Sequence, residues 1–297
     1  MDLTNNIDRA IYYAFFANAG GGLDPYQAVY DAMTNKPSSS KEALQRAFVT
    51  SLVSAGVWDE LDGLWFLRQH SNAASEALLN WVSPGTFDAT IVNSPTFTAD
   101  EGFTTNGTNS YLNLNYNPTT DATNFTQNSG SIGFYTYTSS DNSGDWDMGA
   151  IDAVNGWSAI AARTGGTRYG RINCLSTLSD IETDGSGLRV AVRRANDELV
   201  NNINGVDEDV HSGIASAGVT NRDLYLGCLN NGSPGFHSAR QYGLAFVGGS
   251  LTASQLGAIY TAFTTYITAT TAASGSYMTD SEGTNVKDSE GNDIQIP

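Results

Sequence analysis

Apolar residues recur along this chain with two different periods, and the change falls shortly after residue 56. Before it, the spacing is helical. Ile7, Ala10, Ile11, Ala14 and Phe15 lie three and four apart, which predicts a helix over 3–18. Gly20, Gly21 and Gly22 break it. Asp24-Pro25 opens a second helix over 25–34, with proline in the first turn, where its missing N–H costs nothing. Lys36-Pro37 ends that helix. The run "SSKEALQRAFVTSLVSAG" starts a third at Ser39, where Ser39 and Glu42 stand at capping-box spacing. Leu44, Ala47, Phe48, Ser51 and Leu52 share one of its faces, and Gly56 is its stop. Residues 57–67, "VWDELDGLWFL", form a junction whose last part reads as an incoming strand.

From residue 79 onward the period shortens towards two. Tyr111-Leu112-Asn113-Leu114-Asn115-Tyr116 alternates cleanly, and further short runs lie at 131–139, 157–163, 167–173, 188–194, 198–205, 223–230 and 241–249. Gly, Asn and Asp fill the gaps between them. No helical pattern separates these strands, so a parallel α/β arrangement is excluded and an antiparallel β-sandwich is predicted. One clear helix follows at 250–269. Thr252 or Ser250 caps it, and Leu256, Ile259, Tyr260, Phe263 and Ile267 form an apolar face that should pack back on the sandwich. The end of the chain repeats itself: "DSEGTNVK" (280–287) is followed by "DSEGNDIQ" (288–295). Two such units cannot bury a core alone, so the repeat reads either as a polar tail or as a segment docking on a neighbouring subunit. The organisation expected is a helical module over 1–56, a sandwich with its closing helix over 57–270, and a tail over 271–297.

Composition sharpens this picture. Charged residues make up 15% of the chain, against roughly 25% in an average soluble protein. Amides and hydroxyls replace them, as in "NSPTFTADEGFTTNGTNSYLNLNYNP" (93–118). Such surfaces hydrogen-bond sugars or neighbouring proteins without the desolvation cost of charge, and they suit edges that a partner covers. The formal net charge is -17, and the only lysines are Lys36, Lys41 and Lys287. General electrostatic binding to nucleic acid or to anionic membrane is thereby excluded. Residues 10–20 are apolar and contain Ala17-Asn18-Ala19, but the preceding "MDLTNNIDR" is acidic on balance, so an amphipathic helix is expected there rather than a signal peptide. No apolar run is long enough to span a bilayer. Cys174 and Cys228 fall on different predicted strands and are expected as free, half-buried thiols, with a single disulfide as the alternative.

Candidate chemistry is sparse. Glu60 and Asp62 begin the Glu-x-Asp-x-x-Glu pattern of sugar hydrolases, but no third Glu follows. There is no Gly-x-Ser-x-Gly elbow and no HExxH. Catalysis is not expected, and no cofactor is required. In "DNSGDWD" (141–147), Asp141, Asp145 and Asp147 share one loop around a glycine. Hard oxygen ligands so placed suit calcium, but the spacing alone is weak and a solvated turn is the preferred reading. For sugar binding the candidates are Trp146 and Trp157, with Asn155 and Tyr169 nearby. A ring stacks on the apolar face of a sugar while amides take its hydroxyls. The preferred reading, however, makes Trp157 a core residue and Trp146 a loop-packing one. Arg163, Arg168, Arg171, Arg189 and Arg193 recur on predicted strands, and the alternation around Arg189 and Arg193 is read as pointing them outward. On so acidic a chain they form either an intramolecular counterion face or an interface with an acidic neighbour. The former is preferred.

Three stretches carry a resemblance. "VNNINGVDEDV" resembles the strand–Asn-Gly–strand hairpin of laminin-G-like, concanavalin A-like jelly rolls. "NRDLYLGCLNNGS" followed by "RQYGLAFVGGSLTASQLGAIYTAFTTYI" resembles the closing strands and final helix of such domains, and "PTFTADEGFTTNGTNSYLNLNYNP" resembles their opening hairpin. Together with the helical start and "AGVWDELDGLWFL", the combination resembles virion structural proteins of tailed bacteriophages, over roughly residues 57 to 270. The motifs are turn and packing residues, so they speak to fold more than to role. The resemblance implies a mainly β protein, an antiparallel concanavalin A-like jelly roll. It would be a non-enzymatic component of the virion, serving as capsid decoration, head fibre or tail appendage. Its partners would be other virion proteins, further copies of itself through 1–56 or 274–297, and a host surface glycan. The rival readings are a carbohydrate-binding lectin module, with or without calcium, and a glycan-cleaving enzyme.

Overall fold

A computed structural model describes residues 24–176 and 178–274, and all structural statements concern these. The expected helix over 3–18 and the repeat over 280–295 lie outside them. Strands and helices are numbered along the chain.

Two sheets face each other, antiparallel but for one short parallel pairing, Asn230 against Ala150. The first runs β13 (Val206–His211), β12 (Leu199–Ile203), β11 (Gly187–Arg193), β6 (Gly130–Thr136), β17 (Gln241–Gly248), β4 (Gly102–Thr104) and β3 (Thr96–Thr98), with β1 (Leu61–Trp65) also bonded to β17. The second runs β10 (Leu178–Ile181), β9 (Thr167–Cys174), β8 (Gly156–Thr164), β7 (Met148–Asp152), β14 (Tyr225–Leu226), β5 (Tyr111–Asn113) and β2 (Thr90–Val92). The short β15 (Leu229–Asn230) and β16 (Pro234–Gly235) attach beside β7. Between the sheets lies one apolar core, to which Trp65, Phe103, Leu112, Phe134, Met148, Ile160, Ile172 and Leu226 contribute. The antiparallel sandwich expected from the period-two runs is therefore present.

Three helices cover the far face of the first sheet: α1 (Pro25–Ala32), α2 (Ser39–Ser54) and α3 (Ala253–Ser274). They share a second core with it. Tyr26, Phe48 and Leu52 from the helical start meet Leu256, Ile259 and Phe263 of α3 and Leu188, Val190, Val192, Leu244 and Phe246 of the sheet. The molecule is thus a three-layer stack in which the first sheet is buried on both faces, and β11 is buried at every position. The helix ends follow local chemistry. Asp24 accepts the Tyr26 N–H ahead of Pro25. The cap of α2 is Ser38, one residue before the expected Ser39, and its hydroxyl accepts from the Lys41 N–H. Glu42 instead reaches Arg46 one turn on, at 2.9 Å. Thr252, not Ser250, caps α3: Thr252 and Gln255 exchange backbone-to-side-chain bonds in both directions.

Several strands are shorter than the pattern suggested. The alternating run at Tyr111 stops at Asn113, because Asn115 takes a left-handed backbone (φ 50) and turns its amide to Asp88 and Thr90. The run at 223–230 splits into two two-residue strands. The Asn204-Gly205 hairpin between β12 and β13 forms as expected, with φ values of 53 and 87. A Cβ on Gly205 would also stand 2.5 Å from the Gly257 Cα of α3, so this turn has to be glycine for packing as well.

The arginines are corrected in direction. Arg189 and Arg193 do not face solvent; they are 4% and 0% exposed. The helical layer occupies the face that alternation gave to Leu188, Val190 and Val192, which sends the arginines into the gap between the sheets. There Arg193 donates to the carbonyls of Ile172 and Ile214, and Arg189 pairs with Glu182 at 2.5 Å. Arg168 meets Asp180, Glu182 and Asp209, the last at 2.7 Å. Arg194 holds Asp207 at 2.6 Å. Two of the three carboxylates of the acidic arm β13, Asp207 and Asp209, are thus paired within the chain. Burial by itself would raise the Glu182 carboxyl, but the Asp184 N–H and Arg189 outweigh it and hold the group below its usual 4.5. A depressed carboxyl contributes stability that is present at neutral pH and lost as the pH falls from about 4.5 through the folded value. Urea unfolding of wild type and Glu182→Gln should differ at pH 7, and the gap should narrow as the pH is lowered below about 4.5. A gap of constant size across that range would show that the Glu182 charge is not involved.

Both cysteines are free. They are fully buried rather than half-buried, and burial pushes the Cys228 thiol up to about 12. None of the described helices is long and apolar enough to cross a membrane.

Candidate functional site: an aromatic face on the second sheet

None of the described helices covers the far face of the second sheet. On β8, Ile160 and Ala162 point into the inter-sheet core, so their neighbours Trp157, Ala159 and Ala161 point away from it. On β9, Ile172 enters the core and Gly170 faces Asn201 of the opposite sheet, where a Cβ would come within 1.7 Å of the amide oxygen. Tyr169 and Arg171 therefore share the outer face with Trp157. Ala159 lies opposite Arg171 in the ladder, and Ala161 lies opposite Tyr169.

Trp146 reaches the same face from the loop before β7. That loop is pinned to the β8–β9 turn. Asp141 accepts the N–H groups of Gly165 and Gly166 at 2.6 Å each, and Thr164 accepts from Gly144. The Trp146 N–H donates to the Phe236 carbonyl at 3.0 Å, and Trp146 pairs with His237 in an isolated parallel bridge. Its indole lies 5.3 Å from the Trp157 ring and 5.6 Å from that of Tyr169. The Arg171 guanidinium sits 3.8 Å above the Trp157 ring and 5.5 Å from Trp146. All three rings are half-buried, while Arg171 is 7% exposed. A desolvated guanidinium over an indole is worth about 2 kcal/mol, enough to hold the rings in one arrangement before any ligand arrives.

Of the four candidates for sugar contact, the structure thus brings three together. Asn155 serves another purpose: it donates to Asp152 at 2.8 Å within the β7–β8 turn. The three aspartates do not share one site. Asp141 secures the β8–β9 turn. Asp145 is half-buried, its carboxyl raised by burial and by the nearby Asp147. Asp147 turns inward, where it pairs with Arg240 at 2.8 Å and accepts from Ala162 N, the Ser238 hydroxyl and, at 3.0 Å, the Tyr242 hydroxyl. Among the described residues no group of three His, Cys, Asp or Glu side chains could hold a metal ion. Asp62, from the partial hydrolase pattern, accepts from the N–H groups of Thr123, Asn124 and Phe125 and from the Tyr116 hydroxyl. Its oxygens are taken up in holding a loop.

Sequence reasoning missed Arg171 as the centre of the cluster. The signal was present, because Tyr169 and Arg171 are two apart on one strand and must share a face. It also missed a second group of rings beside the first. Tyr111 and Tyr225 are 4.6 Å apart, and Tyr111 lies 6.0 Å from His237. No local spacing connects these residues, since they come from β5, β14 and the loop before β17.

The fold and this face define a class, a β-sandwich of the jelly-roll type with one helix-covered sheet and one bare aromatic sheet. No family model matches the sequence, and none of the curated proteins does. Solved structures do match in fold. A single-residue mutant of HCR/D aligns at 13% identity over 69% of this chain and 52% of its own, with a TM-score of 0.50. The botulinum neurotoxin serotype D binding domain gives 12% identity, 71% and 52% coverage, and a TM-score of 0.48. Domain 4 of AbnA, a GH43 extracellular arabinanase from Geobacillus stearothermophilus solved with arabinotriose, gives 16%, 68% and 98%, and 0.41. The chain spans about half the length of the first two. At such identities the likeness shows the sandwich fold alone.

Proposed function

We propose that this chain is a non-catalytic carbohydrate-binding module, and that Trp146, Trp157 and Tyr169 form its sugar platform. One observation carries the reading: three half-buried aromatic rings converge on a sheet face that none of the described helices covers, with the Arg171 guanidinium stacked on Trp157. Flat rings present apolar area to the C–H face of a sugar, and the amide- and hydroxyl-rich surroundings supply hydrogen bonds without strongly hydrated charges to strip. The arrangement offers no paired carboxylates flanking a bond, so it supports binding rather than cleavage. Calcium has no part in this reading.

Wild-type protein on a glycan array should bind a defined set of sugars. Trp157→Ala, shown by circular dichroism to be folded, should weaken the best of them about tenfold or more in calorimetry. If no glycan is bound, or if the variant keeps wild-type affinity, the platform is not a sugar site.

The placement of such a module on a tailed-phage particle rests on the sequence resemblance. In that setting the sandwich would face outward as a capsid decoration, head fibre or tail appendage, and the chain termini would serve assembly with virion proteins or further copies. Light-scattering mass and particle binding of chains lacking 1–23 and 275–297 test it. Unchanged values for both would remove the assembly role of the termini.

A further inference from the structure

The aromatic surface does not end at Trp146. His237 pairs with Trp146 across an isolated bridge, Tyr111 lies 6.0 Å from His237, and Tyr225 lies 4.6 Å from Tyr111. Tyr225 stands opposite Gly149 of β7 on one side and Asn113 of β5 on the other. Leu226, Met148 and Leu112, their neighbours along the strands, point into the core, so Tyr225 and Tyr111 share the outer face with Trp157 and Tyr169. Rings therefore follow one another across the sheet from β9 to β5, transverse to the strands. That is four strand-to-strand steps, about 19 Å at roughly 4.8 Å each, which is several sugar rings and not one.

Phe236 precedes His237 in the loop whose backbone meets Trp146. It is 50% exposed, its carbonyl receives the Trp146 N–H, and its backbone is left-handed at φ 55. A bulky residue avoids that conformation, and glycine would fit it without strain. An exposed phenyl is thus presented on a strained loop that bonds to the Trp146 backbone. The charge around the row limits its ligand. The carboxylate of Asp223 lies 3.4 Å from the Asn113 amide beside Tyr225, Asp145 adjoins Trp146, the chain as a whole carries -17, and the Arg171 cation against Trp157 is 7% exposed and so offers little to an anionic ligand.

We infer that the row Tyr169, Trp146, Phe236, His237 and Tyr225, with the buried Tyr111 (7% exposed) supporting Tyr225, is one extended binding cleft for an uncharged glycan chain of several units, running transverse to the strands. This inference rests on the glycan-binding reading and adds length, direction and charge class to it. Trp146, Trp157 and Tyr169 hold one end of the chain, and Phe236 and Tyr225 hold the units beyond.

The test uses the full chain. An array of neutral and acidic glycans identifies the best binder, and calorimetry then compares its disaccharide, tetrasaccharide and hexasaccharide. Affinity should rise by about tenfold or more from disaccharide to hexasaccharide. Tyr225→Ala should weaken the hexasaccharide about five- to tenfold and leave the disaccharide unchanged. Phe236→Gly should do the same while suiting the backbone, so it guards against a loss of folding in the first variant. Equal affinity at all three lengths, or wild-type hexasaccharide binding by both variants, would end the cleft at Trp146 and leave the glycan reading standing. A best binder that is polyanionic would overturn the uncharged class. No binding to any glycan would take down the platform and the cleft together.

Discussion

Replacing Arg240 with alanine is expected to cost about 3–5 kcal/mol of folding stability, because it strands a buried carboxylate. Arg240 is fully buried, and its partner Asp147 is 2% exposed. The guanidinium reaches Asp147 at 2.8 Å, the Thr138 carbonyl at 2.6 Å and the Arg163 carbonyl at 2.8 Å. It thereby ties β17 to the ends of β6 and β8, that is, one sheet to the other. Asp147 in turn collects the Ala162 N–H and two hydroxyls. Removing the cation leaves those donors in place but not the opposing charge. Asp147→Asn should cost less, since an amide oxygen still accepts and no isolated charge remains. Urea unfolding of the two variants checks both the size and the order. An Arg240→Ala loss under about 1 kcal/mol, or a larger loss for Asp147→Asn, would refute the argument. The same experiment bears on the site, because Asp147 follows Trp146 directly. The inward carboxylate is what anchors the loop that carries the platform tryptophan.

Phe66→Ala should be of similar size, about 3–5 kcal/mol, for a different reason. Phe66 follows β1 and is the hub of the core between helices and sheet. Its ring stacks on Trp81 at 4.5 Å and meets Tyr266 at 4.9 Å, Phe48 at 5.1 Å and Phe263 at 5.5 Å. Removing it opens a cavity bordered by α2, α3 and the loop at Trp81, and no single neighbour can collapse into it. The loss should appear first as faster hydrogen exchange over 39–54 and 253–274, with the second sheet and its aromatic face less affected. Uniform exchange across both sheets would show that the three layers unfold only as one unit. A loss below about 1 kcal/mol would show that the core repacks.

Particular elements show how much was legible beforehand. Leu188, Val190 and Val192 alternate with Arg189 and Arg193, so period two was plain and β11 was correctly expected. Which set faced water was not legible, because alternation orders the two faces without saying what covers either. The helices cover the apolar set, and the opposite sheet covers the arginines. The Asn204-Gly205 hairpin and the stop at Gly56 were legible, and the cap of the last helix was narrowed to Thr252 or Ser250, because each depends on a few consecutive residues. Asn115 was not, since its left-handed turn is held by Asp88 and Thr90, some twenty-five residues away in sequence. Three platform residues, Trp146, Trp157 and Tyr169, were singled out from type and proximity alone. Arg171 beneath them could have been added from strand period; Tyr111, Tyr225 and His237 could not.

By itself, then, the sequence determined the local things: antiparallel strands from period-two runs, helices from spacings of three and four, and turns from glycine and asparagine. Its sparse charge determined a surface rich in amides and hydroxyls. These follow from interactions within a few residues, where the chain's own geometry limits the choices. Only the tertiary structure decided which sheet the helices cover and hence which face stays bare. It also sent Asp147 inward and left Trp146 outward, and it set rings from β5, β8, β9, β14 and two loops side by side. Those outcomes depend on contacts between residues far apart in the chain, chosen by the burial of one sheet on both faces, and no local pattern encodes them.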